Sequence, residues 1–254
     1  MKSIGIVLSG GGARGAAHLG VLKALEELRI HVAAISGVSA GAVIGALYAA
    51  GVPVEKILDV LKQQSYFGIK DFTWWKNGFF SMATLRRKLD ELIGADDFAC
   101  LRVPLYINAT DFNTGCLVTF SQGHLYDAIL GSATVPIVFE PTKYNDYLLL
   151  DGGMLNNLPV EPLIGKCDHI IGSHVNKLHD ADTPFRLDKL SLIDQCFHMV
   201  IAQSVKDRAK LCSVFINPLL AGFGMFEMKH ADQIFEIGYK AAMEQRDHLE
   251  ALTA

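Results

Sequence analysis

The chain has 254 residues, half of them apolar and a fifth charged, with 23 Lys and Arg against 27 Asp and Glu and a formal net charge of −4. This is globular composition that excludes disorder, and without a basic surplus to displace counterions from a phosphate backbone it excludes an electrostatically driven nucleic-acid binder. The five cysteines, Cys100, Cys116, Cys167, Cys196 and Cys212, are scattered without Cys-x-x-Cys or His-paired spacing, so neither a disulfide framework nor a metal site is indicated, and a reducing cytoplasm fits best.

Strand and helix patterns alternate from the first residues. Residues 3–8 read as a strand, with an apolar run too short for a secretory segment, and residues 16–28 as a helix with Val21, Leu22, Leu25 and Leu28 on one face. Residues 32–35 are strand-like and 42–50 helical, and this βαβα order implies a parallel sheet covered by helices. The stretch 30–54 lacks Asp, Glu, Lys and Arg, but Gly37, Gly41, Gly45, Gly51 and Pro53 interrupt it. It reads as a buried strand and helix rather than a membrane span. A helix follows Pro53, and another covers 81–93 with Gly94 as its stop. Residues 105–109 and 117–120 are strands around an Asp111 to Gly115 turn, 147–150, 169–174 and 214–216 are further short strands, and 190–211 and 231–249 are long helical patterns. Without a repeat or linker, the expectation is one domain over 1–254, with a helical C-terminal region over about 186–254.

Gly10-Gly11-Gly12-Ala13-Arg14-Gly15 follows a strand and opens a helix. A dinucleotide-binding turn of this spacing needs a carboxylate at the end of the second strand, where residues 33–36 are Ala-Ala-Ile-Ser, and no Gly-Lys-Ser/Thr follows for a nucleoside triphosphate loop. The loop does offer bare backbone N–H groups at a helix N-terminus, which stabilise a phosphate or an oxyanion formed during reaction. Arg14 either orders the loop, faces a phosphate head group or is an ordinary solvated arginine.

Gly37-Val38-Ser39-Ala40-Gly41 is a Gly-x-Ser-x-Gly pentapeptide between a strand and a small-residue helix, the setting of a nucleophile elbow; the alternative is a serine that only caps the helix. A serine needs a base. Asp151-Gly152-Gly153 ends a strand and makes Asp151 the first candidate, against a structural aspartate that holds a turn. Among the nine histidines, His174 is the rival, because it ends a strand and completes a Ser, Asp, His order, and His18 lies just past the glycine loop. An aspartate of ordinary pKa, near 4, is a weak base at pH 7, so oxyanion donors must supply much of the rate.

These motifs in this order resemble those of the patatin-like phospholipases, as do Ser132-Ala133-Thr134-Val135-Pro136 and Asn156-Asn157-Leu158-Pro159-Val160, over about residues 4–163. The resemblance implies a three-layer α/β/α fold with a mostly parallel sheet. It also implies a Ser39–Asp151 dyad without histidine, an oxyanion hole in residues 10–15, and hydrolysis of acyl esters in phospholipids, lysophospholipids or neutral lipids with no cofactor. Between Tyr66 and Phe80 the chain concentrates aromatic residues, including Trp74, Trp75, Phe79 and Phe80, and these read either as a flap that meets an acyl chain or membrane surface or as a satellite core. The expected partners are an acyl lipid, a transient membrane surface at the periphery of the cytoplasm, and a second copy of the chain, with no nucleic acid. A non-catalytic lipid-binding scaffold and a nucleotide-binding module are the competing readings.

Overall fold

The computed structural model describes residues 2–66, 81–136, 138–177, 199, 202, 204–220, 222–225 and 228–253. Trp74, Trp75, Phe79 and Phe80, and most of the helix expected over 190–211, lie outside the described residues. The elements that position the site are β1 (Ile4–Leu8), α1 (Ala16–Glu27), β2 (Val32–Val38), α2 (Ala40–Ala49), α3 (Val54–Tyr66) and α4 (Met82–Ile93). They continue as β3 (Leu105–Asp111), β4 (Cys116–Phe120), α5 (Leu125–Ser132), β5 (Thr142–Tyr144), β6 (Tyr147–Asp151), β7 (His169–Ser173) and β8 (Val214–Ile216).

The strands form one mixed sheet. β2 and β7 flank β1, β3 extends the sheet beyond β2, and β8 beyond β7, all in parallel. β4 and β6 pair antiparallel with β3, and β5 with β6. Alternation along β1 shows why both faces are covered: Ile4, Ile6 and Leu8 pack with α1 and α2, whereas Val7 packs with Leu158, Val160, Leu163 and Val205 on the other side. The α/β expectation therefore holds, with helices on both faces of the sheet.

Local signals explain several boundaries. Ser81 caps α4 by accepting the Thr84 N–H at 3.0 Å, and Gly94 ends it in the left-handed conformation at φ 80°. The long pattern over 231–249 divides into two helices, Ala231–Met243 and Arg246–Ala251. α5 was not predicted, because residues 125–132 are all buried or nearly so and show no polar face for a periodicity to reveal. The charge-free stretch 30–54 is indeed a strand and helix pair, with β2 buried from Ala34 to Val38 and α2 largely buried behind it. Among the described residues, no helix is long and apolar enough to cross a membrane.

Candidate active site

The register of β3 dictates where the site forms. β4 occupies one edge of β3, opposing Ile107 with Phe120 and Asp111 with Cys116. The other edge is shared: β2 runs parallel along it as far as Val38 opposite Asn108, and β6 runs antiparallel as far as Asp151 opposite Ala109. The two strands thus meet end to end, and the residues at their ends, Ser39 and Asp151, arrive at one point. Sequence reasoning places Asp151 at the end of a strand; that this strand comes from the opposite direction is visible only in the pairing.

Ser39 sits at φ 53°, ψ −124°, a strained conformation for a residue with a side chain. Gly41 permits the bend to nest against β1, since a Cβ there would lie 2.2 Å from the Leu8 carbonyl oxygen. Ser39 is the N-cap residue of α2 but makes no side-chain cap. Instead its Oγ donates to Asp151 Oδ2 at 2.6 Å. The second Asp151 oxygen accepts the Gly153 N–H at 2.8 Å. The Ser132 to Thr134 segment braces both partners: the Ser39 N–H donates to Ser132 Oγ at 2.8 Å, and the Asp151 N–H to the Thr134 carbonyl at 2.8 Å. Ser132 Oγ in turn donates to the Asn108 carbonyl at 2.6 Å.

Burial changes the chemistry of Asp151. Desolvation pushes its carboxyl up to about 6, against the opposing effect of the Ser39 and Gly153 hydrogen bonds. The carboxylate is therefore a stronger base than the exposed aspartate assumed from sequence.

The glycine loop lies against this pair: a Cβ on Gly10 would stand 3.1 Å from Ser39 Cβ, and one on Gly15 3.0 Å from Ala40 Cβ. Its donors are not equivalent. The Gly10 N–H donates to Asn157 Oδ1 at 3.1 Å, that of Ala13 to the Met225 carbonyl at 2.7 Å, and that of Arg14 to the Gly11 carbonyl at 3.2 Å. Among the described residues, the Gly11 and Gly12 N–H groups have no acceptor. Of the six residues expected to form an oxyanion loop, Gly11 and Gly12 are therefore the ones whose backbone donors stay open among the described residues. Gly12 needs to be glycine twice over, having φ 56° and the Met225 carbonyl oxygen 2.3 Å from where a Cβ would lie. Arg14 is buried, and its Nε donates to the Phe223 carbonyl at 2.8 Å, so it orders the loop.

The two histidines singled out in the sequence, His174 and His18, have other partners. His174 Nδ1 is hydrogen-bonded to Asn217 Oδ1 at 3.1 Å, and its ring stacks on Phe215 of β8. His18 is buried, and desolvation lowers its pKa to about 4, so it is a neutral imidazole. Its Nε2 donates to the Ser9 carbonyl at 2.9 Å, and its Nδ1 accepts from Ser173 Oγ at 2.8 Å. Asn157 and Ser132 stand in the sequence motifs without a role, and the parts of Ser9, Asn176 and Met225 at the glycine loop are set by contacts between residues far apart in the chain.

The chain is similar to several known proteins. Neuropathy target esterase sws of Drosophila melanogaster is 32% identical over 200 residues, spanning 75% of this chain and 14% of that protein. Lysophospholipase NTE1 of Coccidioides immitis is 28% identical over 280 residues, spanning 98% of this chain and 18% of its own. The chain therefore covers less than a fifth of the length of these relatives. Among solved structures, VipD of Legionella pneumophila shares the fold, with a TM-score of 0.55 at 16% identity over 97% of this chain and 67% of that one. The family model described as patatin-like phospholipase matches residues 6–164, a span that includes the glycine loop, the serine elbow and the aspartate turn that the sheet brings together. The chain belongs to the patatin-like phospholipase family.

Proposed function

We propose that this protein is a serine acyl hydrolase in which Ser39 is the nucleophile and Asp151 its base. The observation that carries this reading is the 2.6 Å contact between Ser39 Oγ and Asp151 Oδ2, made by a serine held in a strained bend beside backbone donors that have no acceptor among the described residues. Asp151 Oδ2 takes the hydroxyl proton as Ser39 Oγ attacks the ester carbonyl, and the tetrahedral oxyanion lies against the Gly11 and Gly12 N–H groups. Collapse breaks the ester bond; the leaving alcohol takes the proton from Asp151, and the acyl group remains on Ser39. Water then gives a proton to Asp151 and attacks the acyl-enzyme, and the proton returns to Ser39 as the carboxylic acid departs. No histidine is required, because Asp151 contacts the serine directly and burial has already raised its basicity.

The names of the relatives, an esterase and a lysophospholipase, support a lysophospholipid as the first natural substrate to test. A single domain that acts on lipid at a membrane surface from the cytoplasmic side fits this chemistry. The test is turnover of a short-chain nitrophenyl ester and of lysophosphatidylcholine by the wild type and by Ser39→Ala, Asp151→Asn and His174→Ala. We expect the first two variants to lose at least about 1,000-fold in kcat and His174→Ala to retain most of it. Activity retained by Ser39→Ala or Asp151→Asn would defeat the dyad.

A further inference from the structure

We propose that Asn176 is a positioning residue that aims and polarises the Gly10–Gly11 peptide, making the Gly11 N–H the principal oxyanion donor; this rests on the acyl-hydrolase reading. In a trans peptide the carbonyl and the following N–H lie in one plane and point in opposite directions, and no cis peptide occurs among the described residues. Whatever holds the Gly10 carbonyl therefore decides where the Gly11 N–H points. Two buried side chains hold it: Asn176 Nδ2 donates at 2.6 Å and Ser9 Oγ at 3.0 Å. Ser9 is committed to this role, because its oxygen already accepts the Val175 N–H at 3.1 Å, which leaves its proton for Gly10.

The orientation of the Asn176 amide is fixed by charge. Its Oδ1 faces Arg14 Nη1 at 3.4 Å, while Arg14 Nε is tied to the Phe223 carbonyl at 2.8 Å. The flipped amide would set oxygen against the Gly10 carbonyl and NH2 against a guanidinium, so only one orientation is compatible with both neighbours. The preceding peptide is pinned as well, since the Gly10 N–H is held by Asn157 Oδ1 at 3.1 Å. Rotation of the Gly10–Gly11 plane would break hydrogen bonds on both sides. A carbonyl that accepts two hydrogen bonds is also polarised, and polarisation strengthens its partner N–H as a donor. That N–H is one of the two in the loop without an acceptor among the described residues. Asn176 stands three residues beyond β7 and outside the span matched by the family model, so the motif-bearing part of the chain depends on a residue beyond it.

The test compares Asn176→Ala and Asn176→Asp with the wild type and Ser39→Ala, using turnover of a short-chain nitrophenyl ester and the amide resonance of Gly11 in glycine-labelled protein. Both Asn176 variants should lower kcat by about 10- to 100-fold, less than the loss of a whole oxyanion donor, with KM changed by no more than about threefold and the pH midpoint of kcat unmoved. The Gly11 amide proton should move upfield in both and stay in place in Ser39→Ala. Asn176→Asp keeps an acceptor facing Arg14 and adds a charge that pairs with the guanidinium, so it serves as the test where the alanine variant does not fold, yet it offers Gly10 an acceptor in place of a donor. A kcat like that of the wild type, or a fall in kcat with an unmoved Gly11 resonance, overturns the proposal and leaves the dyad standing. Turnover retained by Ser39→Ala overturns the dyad and the proposal together.

Discussion

Asp151 is only 3% exposed, so the fold presents to Ser39 a carboxyl stripped of the water that would hold its charge. Its folded pKa of about 6 stands above that of an unfolded chain, near 4. Below about pH 4 the carboxyl is protonated in both states and costs the fold nothing. Between about 4 and 6 the folded state holds a proton that the unfolded state has released, so stability falls as pH rises, and above about 6 the full penalty, roughly 2–3 kcal/mol, is present. Asp151→Asn removes that penalty while keeping an acceptor for the Gly153 N–H and a donor for Ser39 Oγ. We therefore expect Asp151→Asn to be inactive but more stable than the wild type at pH 8, by about 2 kcal/mol, with the difference closing as the pH approaches 4. Wild-type kcat should climb through an apparent pKa near 6, because only the ionised carboxyl accepts the serine proton. Urea unfolding across the pH range and a pH profile of turnover check the two statements. Equal stability of the two proteins at pH 4 and pH 8 would contradict the buried base.

At the scale of elements, the serine elbow was legible because its requirements are local: a strand, two small residues and a helix within a dozen positions. Asp151 was legible as a candidate from its strand-end Asp-Gly-Gly turn, but how it reaches Ser39 was not, because that depends on β2 and β6 sharing one edge of β3, a long-range pairing between strands of opposite direction that no local pattern encodes. β5 and α5 were missed for related reasons, one being three residues long and the other lacking a polar face. The small residues of α2 show what the local signal means physically. A methyl at Gly41 would stand 2.2 Å from the Leu8 carbonyl oxygen, a backbone atom in the middle of the sheet that cannot yield. One turn further on, a methyl at Gly45 would meet the tips of Ile35, Leu105 and Leu8 at 3.0, 3.3 and 3.5 Å, all side chains able to shift. Gly41→Ala should accordingly cost about 2–4 kcal/mol and abolish turnover by lifting α2 off β1, whereas Gly45→Ala should stay within about 1 kcal/mol and keep its activity. Chemical denaturation with a parallel ester assay separates them, and equal costs at the two positions would mean that α2 does not seat against β1 as described.

The whole molecule is closed by chain that carries no motif. β7 pairs with β1 inside the sheet, β8 extends that side, and residues 222–225 supply the carbonyls that hold Ala13 and Arg14. The helix Ala231–Met243 follows and crosses α1 so closely that the two backbones touch through glycines. A Cβ on Gly20 would lie 2.1 Å from the Phe235 carbonyl oxygen, and one on Gly238 would lie 2.1 Å from that of Ala17. Neither glycine stood out in the sequence, because each looks like an ordinary interruption of a helical pattern and its reason lies in the other helix, more than 200 positions away. The crossing follows directly on the segment that holds Ala13 and Arg14, so it links global packing to the glycine loop. Gly20→Ala and Gly238→Ala should each cost about 2–3 kcal/mol, or roughly 5–10 °C in Tm for a chain of this size. Since one added methyl already forces the helices apart, the double variant should cost clearly less than the sum, the non-additivity expected of residues that share a contact. Each variant should also lose turnover below its unfolding temperature, as the loop over Ala13 and Arg14 loosens before the sheet does. Calorimetry of the two single variants and the double, with ester turnover measured about 10 °C below each Tm, tests both parts. Strict additivity with full turnover would show that the C-terminal helix rests on α1 without governing the glycine loop.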